Sequence, residues 1–292
     1  MLLPARADSP LPPDAGVLES ARNTAIASHY NSLDWFYRDL WGEHVHHGLW
    51  LSGRESPAVA GEQLSRHVLA ALALAPGARL ADVGCGYGAT ARMATERFGA
   101  DVVGLTLSAS QKAHADMQVV RRGKVEIRVQ DWKEAGFADG SLDGLFALES
   151  LEHIAAKADF ARMARRAVRP GGRVVVATWL AAENVSRWSQ RHLLDAICHE
   201  GRLAPLATFP ELRRTFAEVG FTEVGVEDLS RQVRKTWAVV LRRLVWRLAT
   251  RPAYWRFLLG GGARDGIFAL TAARIALAYR TGCFRYGFFV WE

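Results

Sequence analysis

The chain has 292 residues, half of them apolar and 23% charged, the balance of a globular protein long enough to bury a sizeable core. Its three cysteines, Cys85, Cys198 and Cys283, are scattered without a CxxC pair, which argues against a disulfide framework or structural zinc and fits a reducing compartment. The net charge is +7, but the run from Arg231 to Arg264 carries nine Lys and Arg and no Asp or Glu. The remainder of the chain is therefore slightly acidic, and a basic surface over the whole protein is excluded.

In chain order, residues 1–17 read as a flexible tail, rich in proline and small residues. Pro4 directly after Met1-Leu2-Leu3 gives no secretory signal, and the longest clean apolar stretch, Val68 to Ala75, is too short to span a bilayer. A soluble, cytoplasmic protein is expected, at most peripheral to a membrane. Periodicity predicts helical material over Leu18–Leu40, a loop over Trp41–Ser52 and a helix over Ala58–Ala75, together an N-terminal helical cap segment spanning 18–75.

An alternation then begins. Strands are predicted at Arg79–Val83, Asp101–Thr106, Val125–Val129, Leu142–Ala147 and Arg173–Thr178, with helices ending at Phe98, over Ser108–Val120 and near Glu152–Val168, and a turn at Pro170-Gly171-Gly172. Such alternation implies an α/β core over 76–180, a parallel sheet covered on both faces. Residues 181–292 continue it with an inserted helical cap at about 187–208 and 231–282. Within them come a helix over Arg191–Ala207, a helix over Glu211–Val219, a strand over Thr222–Glu227 and a closing aromatic strand over Cys283–Trp291.

The first predicted strand runs into Gly84-Cys85-Gly86-Tyr87-Gly88. Gly84-x-Gly86-x-x-Ala89 also satisfies a dinucleotide fingerprint, and any tight turn favours small residues, so the loop alone is weak evidence. Asp82, just before it, would sit badly against a pyrophosphate but suits a ligand with an ammonium and a sulfonium. The second strand ends in Gly104-Leu105-Thr106-Leu107-Ser108, where a dinucleotide enzyme should place an acid. After the third strand, Gln130-Asp131-Trp132 supplies a carboxylate for an adenine amino group and an aromatic ring to pack on it.

Ala81-Asp82-Val83-Gly84-Cys85-Gly86-Tyr87-Gly88 and these two segments resemble the class I S-adenosylmethionine (SAM)-dependent methyltransferases, within the branch of tocopherol, sterol and cyclopropane fatty acid enzymes. Trp41-Gly42-Glu43-His44-Val45-His46-His47-Gly48, Glu149-Ser150-Leu151-Glu152-His153, Ile197-Cys198 and Ala217-Glu218-Val219-Gly220-Phe221 look most like the γ-tocopherol methyltransferase group. The resemblance implies a Rossmann-like seven-stranded sheet whose last strand, Phe284–Val290, is antiparallel, and a SAM site at Asp82, Gly84, Cys85, Gly86, Gly88, Thr106, Leu107, Gln111, Gln130, Asp131, Trp132 and Glu149. Thr106 departs from the acidic residue that many relatives place on the ribose, which puts that contact in doubt. The resemblance also implies that Tyr30, Trp41, His46 and His47 fold over the cofactor and acceptor as pocket walls.

Methyl transfer mainly needs alignment in a dry pocket, but a phenol or activated ring carbon also needs a proton removed. Glu149, Glu152 and His153 follow the fourth strand, where a helix would put them on one face. His153 is the expected general base, with Glu152 and Glu149 as its catalytic neighbours. Acidic residues also favour helix N-termini without any catalytic role. In the cyclopropane-forming relatives a glutamate matching Glu152 helps to bind bicarbonate. No metal is expected at His44, His46 and His47, because no nearby cysteine or repeated carboxylate supports one.

Ten tryptophans invite an aromatic-walled acceptor pocket, with Trp35, Trp41, Trp50, Trp179, Trp188 and Trp237 in cap or loop regions, although core packing accounts for some equally well. In the basic run, Trp237, Val240, Leu241, Leu244, Val245 and Leu248 recur at helical spacing. Three readings stay open there: a cap helix with a solvated basic face, a membrane-surface helix over 231–256, or capture of an anionic substrate. The expected function is methyl transfer from SAM to a hydrophobic small molecule such as a prenylated phenol or quinol, a terpenoid or a sterol-like lipid, at carbon, oxygen or nitrogen. No nucleic-acid partner is expected, because the slot after the fourth strand lacks the Asn/Asp-Pro-Pro-aromatic run of base-amine methylation. Methylene transfer to lipid alkenes and a non-catalytic, membrane-associated SAM-binding module are the alternatives, and oligomeric state is left open.

Overall fold

The computed structural model describes residues 15–259 and 267–292. One sheet is built from β1 (Arg79–Val83), β2 (Asp101–Thr106), β3 (Lys124–Val129), β4 (Leu142–Leu148), β5 (Val168–Ala181), β6 (Glu223–Asp228) and β7 (Phe284–Trp291), in the order β3-β2-β1-β4-β5-β7-β6. The first five strands are parallel, and β7 runs antiparallel between β5 and β6. β1, β4 and β7 are buried along nearly their whole length, which is why they read as apolar runs rather than as polar–apolar alternation.

The helices are α1 (Ala15–Ser32), α2 (Asp34–Leu40), α3 (Pro57–Ala71), α4 (Ala89–Phe98), α5 (Ala109–Asp116), α6 (Lys157–Ala167), α7 (Arg187–Ser189), α8 (Asp195–Glu200), α9 (Phe209–Glu218), α10 (Ser230–Val233), α11 (Lys235–Thr250), α12 (Pro252–Leu259) and α13 (Ile267–Thr281). On one face of the sheet, Val68 of α3 and Ala91 and Ala94 of α4 join Phe146, Val175 and Phe288 in a shared core. On the other, Phe160 and Ala164 of α6 and Phe216 of α9 pack with Leu145, Val176 and Trp291. The Phe216 and Trp291 rings stack at 3.7 Å, pinning α9 to the last strand.

Several elements differ from the sequence expectation. The helix expected over Leu18–Leu40 breaks at Leu33, which is fully buried, and Asp34 opens α2 with its Oδ1 accepting the Tyr87 hydroxyl at 2.9 Å. The helix expected from Glu152 starts only at Lys157. Leu151–His153 forms a single tight turn instead, where Ser150 Oγ donates to the Val83 carbonyl and ties the segment to the end of β1. The expected turn at Pro170-Gly171-Gly172 is drawn into β5 beside a register shift against β4. The helix expected over Arg191–Ala207 begins earlier, at Arg187, passes through a π turn at Gln190–Leu194 and ends at Glu200. Of the tail expected over 1–17, residues 1–14 lie outside the described residues, as does Arg264 of the basic run.

Candidate active site

β2 and β4 lie on opposite sides of β1, so the loops after β1 and β4 diverge and leave a crevice at the carboxyl edge of the sheet. Two cavities open there, of about 1130 Å³ and 900 Å³ including the space at their mouths, and they share Tyr30, Val45, His46, Glu149 and His153 as a common wall.

The first cavity lies over the glycine loop. Asp82 is 2% exposed, and among the described residues its Oδ2 has no hydrogen-bond partner. Burial pushes its carboxyl well above the usual range. A dry carboxyl with an unused oxygen on a cavity wall is suited to a cationic ligand group. Gly84 and Gly86 both have left-handed backbone, for different reasons. A Cβ on Gly84 would fall 2.2 Å from Ser150 Cβ, so the loop must pass the β4 segment closely. A Cβ on Gly86 would meet no protein atom within 4 Å, and the residue lines the cavity, so that space is left for a ligand.

At the tip of β2, Thr106 donates to Gln111 Oε1 at 2.7 Å and accepts from the Ser108 amide at 3.1 Å. Thr106, Leu107, Gln111, Gln130, Asp131 and Trp132 all line the first cavity. Asp131 caps the turn after β3 through Lys133 N at 2.8 Å, and its other oxygen accepts from Asn23 of α1. Gly88, expected at this site, caps α4 and does not line the cavity. Its loop neighbours Cys85, Gly86 and Tyr87 do.

The second cavity is an aromatic box, walled by Tyr30, Tyr37, Trp41, Trp179 and Trp237. Trp35, Trp50 and Trp188 lie outside it; Trp188 is a solvent-facing residue on α7. His153 sits at the seam. Its Nδ1 lies 3.2 Å from the Arg202 carbonyl, which can only accept, so the neutral ring carries its proton on Nδ1. Nε2 is then the acceptor for the Tyr30 hydroxyl at 3.1 Å. Burial first, then the Arg22 and Lys157 charges, depress His153 to about 4 against the opposing Arg202 contact.

Glu149 and Glu152 are opposites. Glu149 occupies the left-handed region at φ +53°, a strained conformation for a residue with a side chain. Its carboxylate accepts from four donors: the His47 amide (2.7 Å), His47 Nδ1 (3.0 Å), Trp179 Nε1 (2.9 Å) and the Tyr286 hydroxyl (2.8 Å). Burial alone would raise its carboxyl, but the His47 and His46 contacts outweigh it and hold the group at about 2. Glu152 is buried at 2% exposure, yet has a hydroxyl donor from Thr178 at 2.8 Å in place of that set. Burial and the Glu149 charge push it up to about 8. The common helical face expected for Glu149, Glu152 and His153 does not exist, because Glu149 precedes the tight turn with its backbone inverted. All three nevertheless line the second cavity.

His47 is the hub of a buried network. Trp237 Nε1 lies 2.7 Å from His47 Nε2, and an indole can only donate, so the ring proton is on Nδ1 and goes to Glu149. The Tyr279 hydroxyl stands 3.1 Å from the same Nε2. One carboxylate thus links the loop before α3, β5, β7, α11 and α13. His46 donates from Nδ1 to the His47 carbonyl at 2.7 Å, and its Nε2 faces His44 and Ser65.

Sequence reasoning missed Glu19, Arg22, Asn23 and Ile26, which with Tyr30 line the first cavity from α1. Their helical spacing was the available signal, since they form one stripe turned toward the glycine loop. The α11 stripe is also resolved: Trp237, Val240 and Leu244 are buried inward, whereas Val245 is exposed. Arg243 donates to the Leu40 carbonyl, and Arg247 and Arg251 pair with Asp39, so these arginines fasten the cap to α2.

Residues 19–250 match the family described as mycolic acid cyclopropane synthetase. The chain is 28% identical to the chloroplastic tocopherol O-methyltransferase of Arabidopsis thaliana, over 94% of this chain and 83% of that protein. It is also 28% identical to the 2-methyl-6-phytyl-1,4-hydroquinone methyltransferase of a Synechocystis strain, over 93% and 87% of the two chains. The solved cyclopropane synthase MmaA2 of Mycobacterium tuberculosis shares the fold, with a TM-score of 0.82 at 22% identity over 92% of this chain and 97% of that one. With a sheet of this order, a glycine loop beside an unpartnered buried carboxyl and relatives aligned along nearly the whole chain, the protein belongs to the mycolic acid cyclopropane synthetase family and is a class I SAM-dependent methyltransferase.

Proposed function

We propose that this enzyme methylates an oxygen or an activated ring carbon of a prenylated phenol or quinol, with SAM in the first cavity and the acceptor in the second. The observation that carries this reading is the seam, where a glycine-loop cavity and an aromatic box meet at His153 and Tyr30. The residues present fit the cofactor: Asp82 would take its ammonium, the Gly84–Gly86 backbone its methionine portion, Thr106 and Gln111 its ribose, and Asp131 and Trp132 its adenine. Bound there, SAM supplies an electrophilic methyl group.

The chain's own part is to align the acceptor, exclude water and receive a proton. His153 Nε2 is the receiving atom, reached directly or through the Tyr30 hydroxyl, which passes its own proton to Nε2 while taking one from the acceptor. Glu149, whose two oxygens accept from four donors, positions the cap. The likeness to tocopherol and phytylhydroquinone methyltransferases supports a phenolic acceptor with a long apolar tail.

The outer face of α11 and α12 is where such a substrate would be collected. Val245 and Trp246 are 66% and 65% exposed, Trp255 is half exposed, and Arg242 stands beside them in solvent. This mixture suits an anionic lipid surface. Among the described residues no helix is long and apolar enough to cross a membrane.

Incubation with methyl-labelled SAM and either γ-tocopherol or 2-methyl-6-phytyl-1,4-hydroquinone tests the reading by product mass. A gain of one CH₂ with an added methyl group is expected. Methylene addition to an unsaturated phospholipid, with no product from the phenols, would replace it with cyclopropane formation.

A further inference from the structure

The second cavity contains two buried carboxyls that the same surroundings treat differently. Glu149 has four donors on its two oxygens, and Glu152 has the Thr178 hydroxyl on Oε2. Two neighbouring carboxyls in a dry site do not both ionise readily, and the one with the donors takes the charge. The groups facing Glu152 do not reverse this order. Tyr30 of α1, Tyr279 of α13 and Tyr286 of β7 are phenols whose burial raises them well above their ordinary value, and His153 is neutral. Lys157 spends its ammonium on the Ile154 and Pro205 carbonyls.

We infer that Glu152 is held as a carboxylic acid and donates a hydrogen bond to a second, non-reacting oxygen of the acceptor, making the enzyme selective for rings that carry two oxygens. The inference rests on the proposed function only in taking the aromatic box as the acceptor site. Its geometric basis is that His153 and Glu152 line one cavity, so a flat ring between aromatic walls meets a proton acceptor at one polar point and a proton donor at another. The carboxyl position at about 8 agrees, since the donor is present at neutral pH and is lost above that range.

The test does not depend on turnover. Infrared difference spectra between wild type and Glu152→Gln at pH 7 should show the carbonyl stretch of a protonated carboxyl in the wild type alone. The subtraction removes any contribution from Asp82, which is common to both proteins. Addition of trimethylhydroquinone should shift that band, and 2,3,5-trimethylphenol should leave it in place. By calorimetry, the wild type should bind the hydroquinone about tenfold more tightly than the monophenol, as one net hydrogen bond allows.

Glu152→Gln keeps a donor in the amide and should retain this preference without its decline above pH 8. Glu152→Leu should lose the preference at every pH. Absence of the band at pH 7, or an equal preference in wild type and Glu152→Leu, would overturn the inference. Absence of methyl transfer to any phenol would overturn the proposed function and leave the infrared result standing.

Discussion

The Tyr30 hydroxyl donates to His153 Nε2 across 3.1 Å at the wall shared by the two cavities, joining the first helix to the turn after β4 over 123 residues of sequence. Because the Arg202 carbonyl fixes the opposite nitrogen as the proton carrier, the basic lone pair of His153 points toward the seam. Removing it should separate binding from chemistry. His153→Ala is expected to keep its affinity for S-adenosylhomocysteine and lose roughly 10²- to 10⁴-fold in kcat. Tyr30→Phe should lose less, about tenfold, since Nε2 can then take the proton directly. Full activity in both variants would exclude the seam as the proton-accepting site.

The buried histidines make the fold acid-sensitive in a defined window. His29 and His153 are lowered to about 4 and His44 to about 3, each mainly by burial, from an ordinary 6.5. At these three groups the unfolded chain binds more protons than the native one between these limits, so the stability they contribute is fully present above pH 6.5 and falls as pH drops toward 4. Against this stands the smaller, opposite contribution of Glu152, which the native state keeps protonated up to about 8. Thermal melts from pH 7.5 to 4 should show a declining Tm. His44→Gln should flatten the decline and leave the Tyr30–His153 pair in place.

Two glycines of one loop should fail in different ways. Gly86→Val fills space that no atom of the described residues occupies, at a left-handed backbone that strains any side chain, and should abolish SAM binding while the protein still folds. Gly84→Ala drives a Cβ against Ser150 and should cost about 1–3 kcal/mol of stability. Calorimetric titration with SAM and denaturant unfolding distinguish them, and unchanged affinity in Gly86→Val would remove the cofactor from that loop.

Glu149→Gln replaces a carboxylate by an amide whose NH₂ must face hydrogen-bond donors. At least one donor among His47, Trp179 and Tyr286 loses its acceptor, at a cost of about 1–3 kcal/mol. Loosened packing of Trp179 and Trp237 should weaken the near-UV circular dichroism before the far-UV signal changes. An unaltered unfolding midpoint would show that the network does not hold the cap.

Vesicle binding through the exposed face of α11 and α12 should carry a salt signature. Replacing Trp246 and Trp255 by Ser and Arg242 by Glu should lower co-sedimentation with phosphatidylglycerol-containing vesicles by about tenfold, and high salt should weaken the wild type in the same direction. Turnover of a water-soluble phenol should stay unchanged. Equal vesicle binding by the triple variant would rule out this face.

Much of the cofactor side was legible in the chain itself. A glycine loop after a buried strand, Asp82 before it and the alternation of strands and helices are local patterns, because backbone conformation and strand burial are set within a few residues. The antiparallel last strand came from the family resemblance rather than from any pattern in Phe284–Trp291. The tertiary structure alone decided the state of the carboxyls in the second cavity. Nothing near Glu149 or Glu152 in sequence says which is charged, because the donors that choose between them come from His47 and Tyr286, 102 and 137 residues from Glu149. The same holds for α11, whose apolar stripe could have faced lipid until packing against the core turned Trp237 and Leu244 inward. Helical periodicity specifies that a face is apolar, and only the assembled neighbours determine what covers it. A carboxyl's charge is likewise a property of the water it loses and the partners it gains on folding.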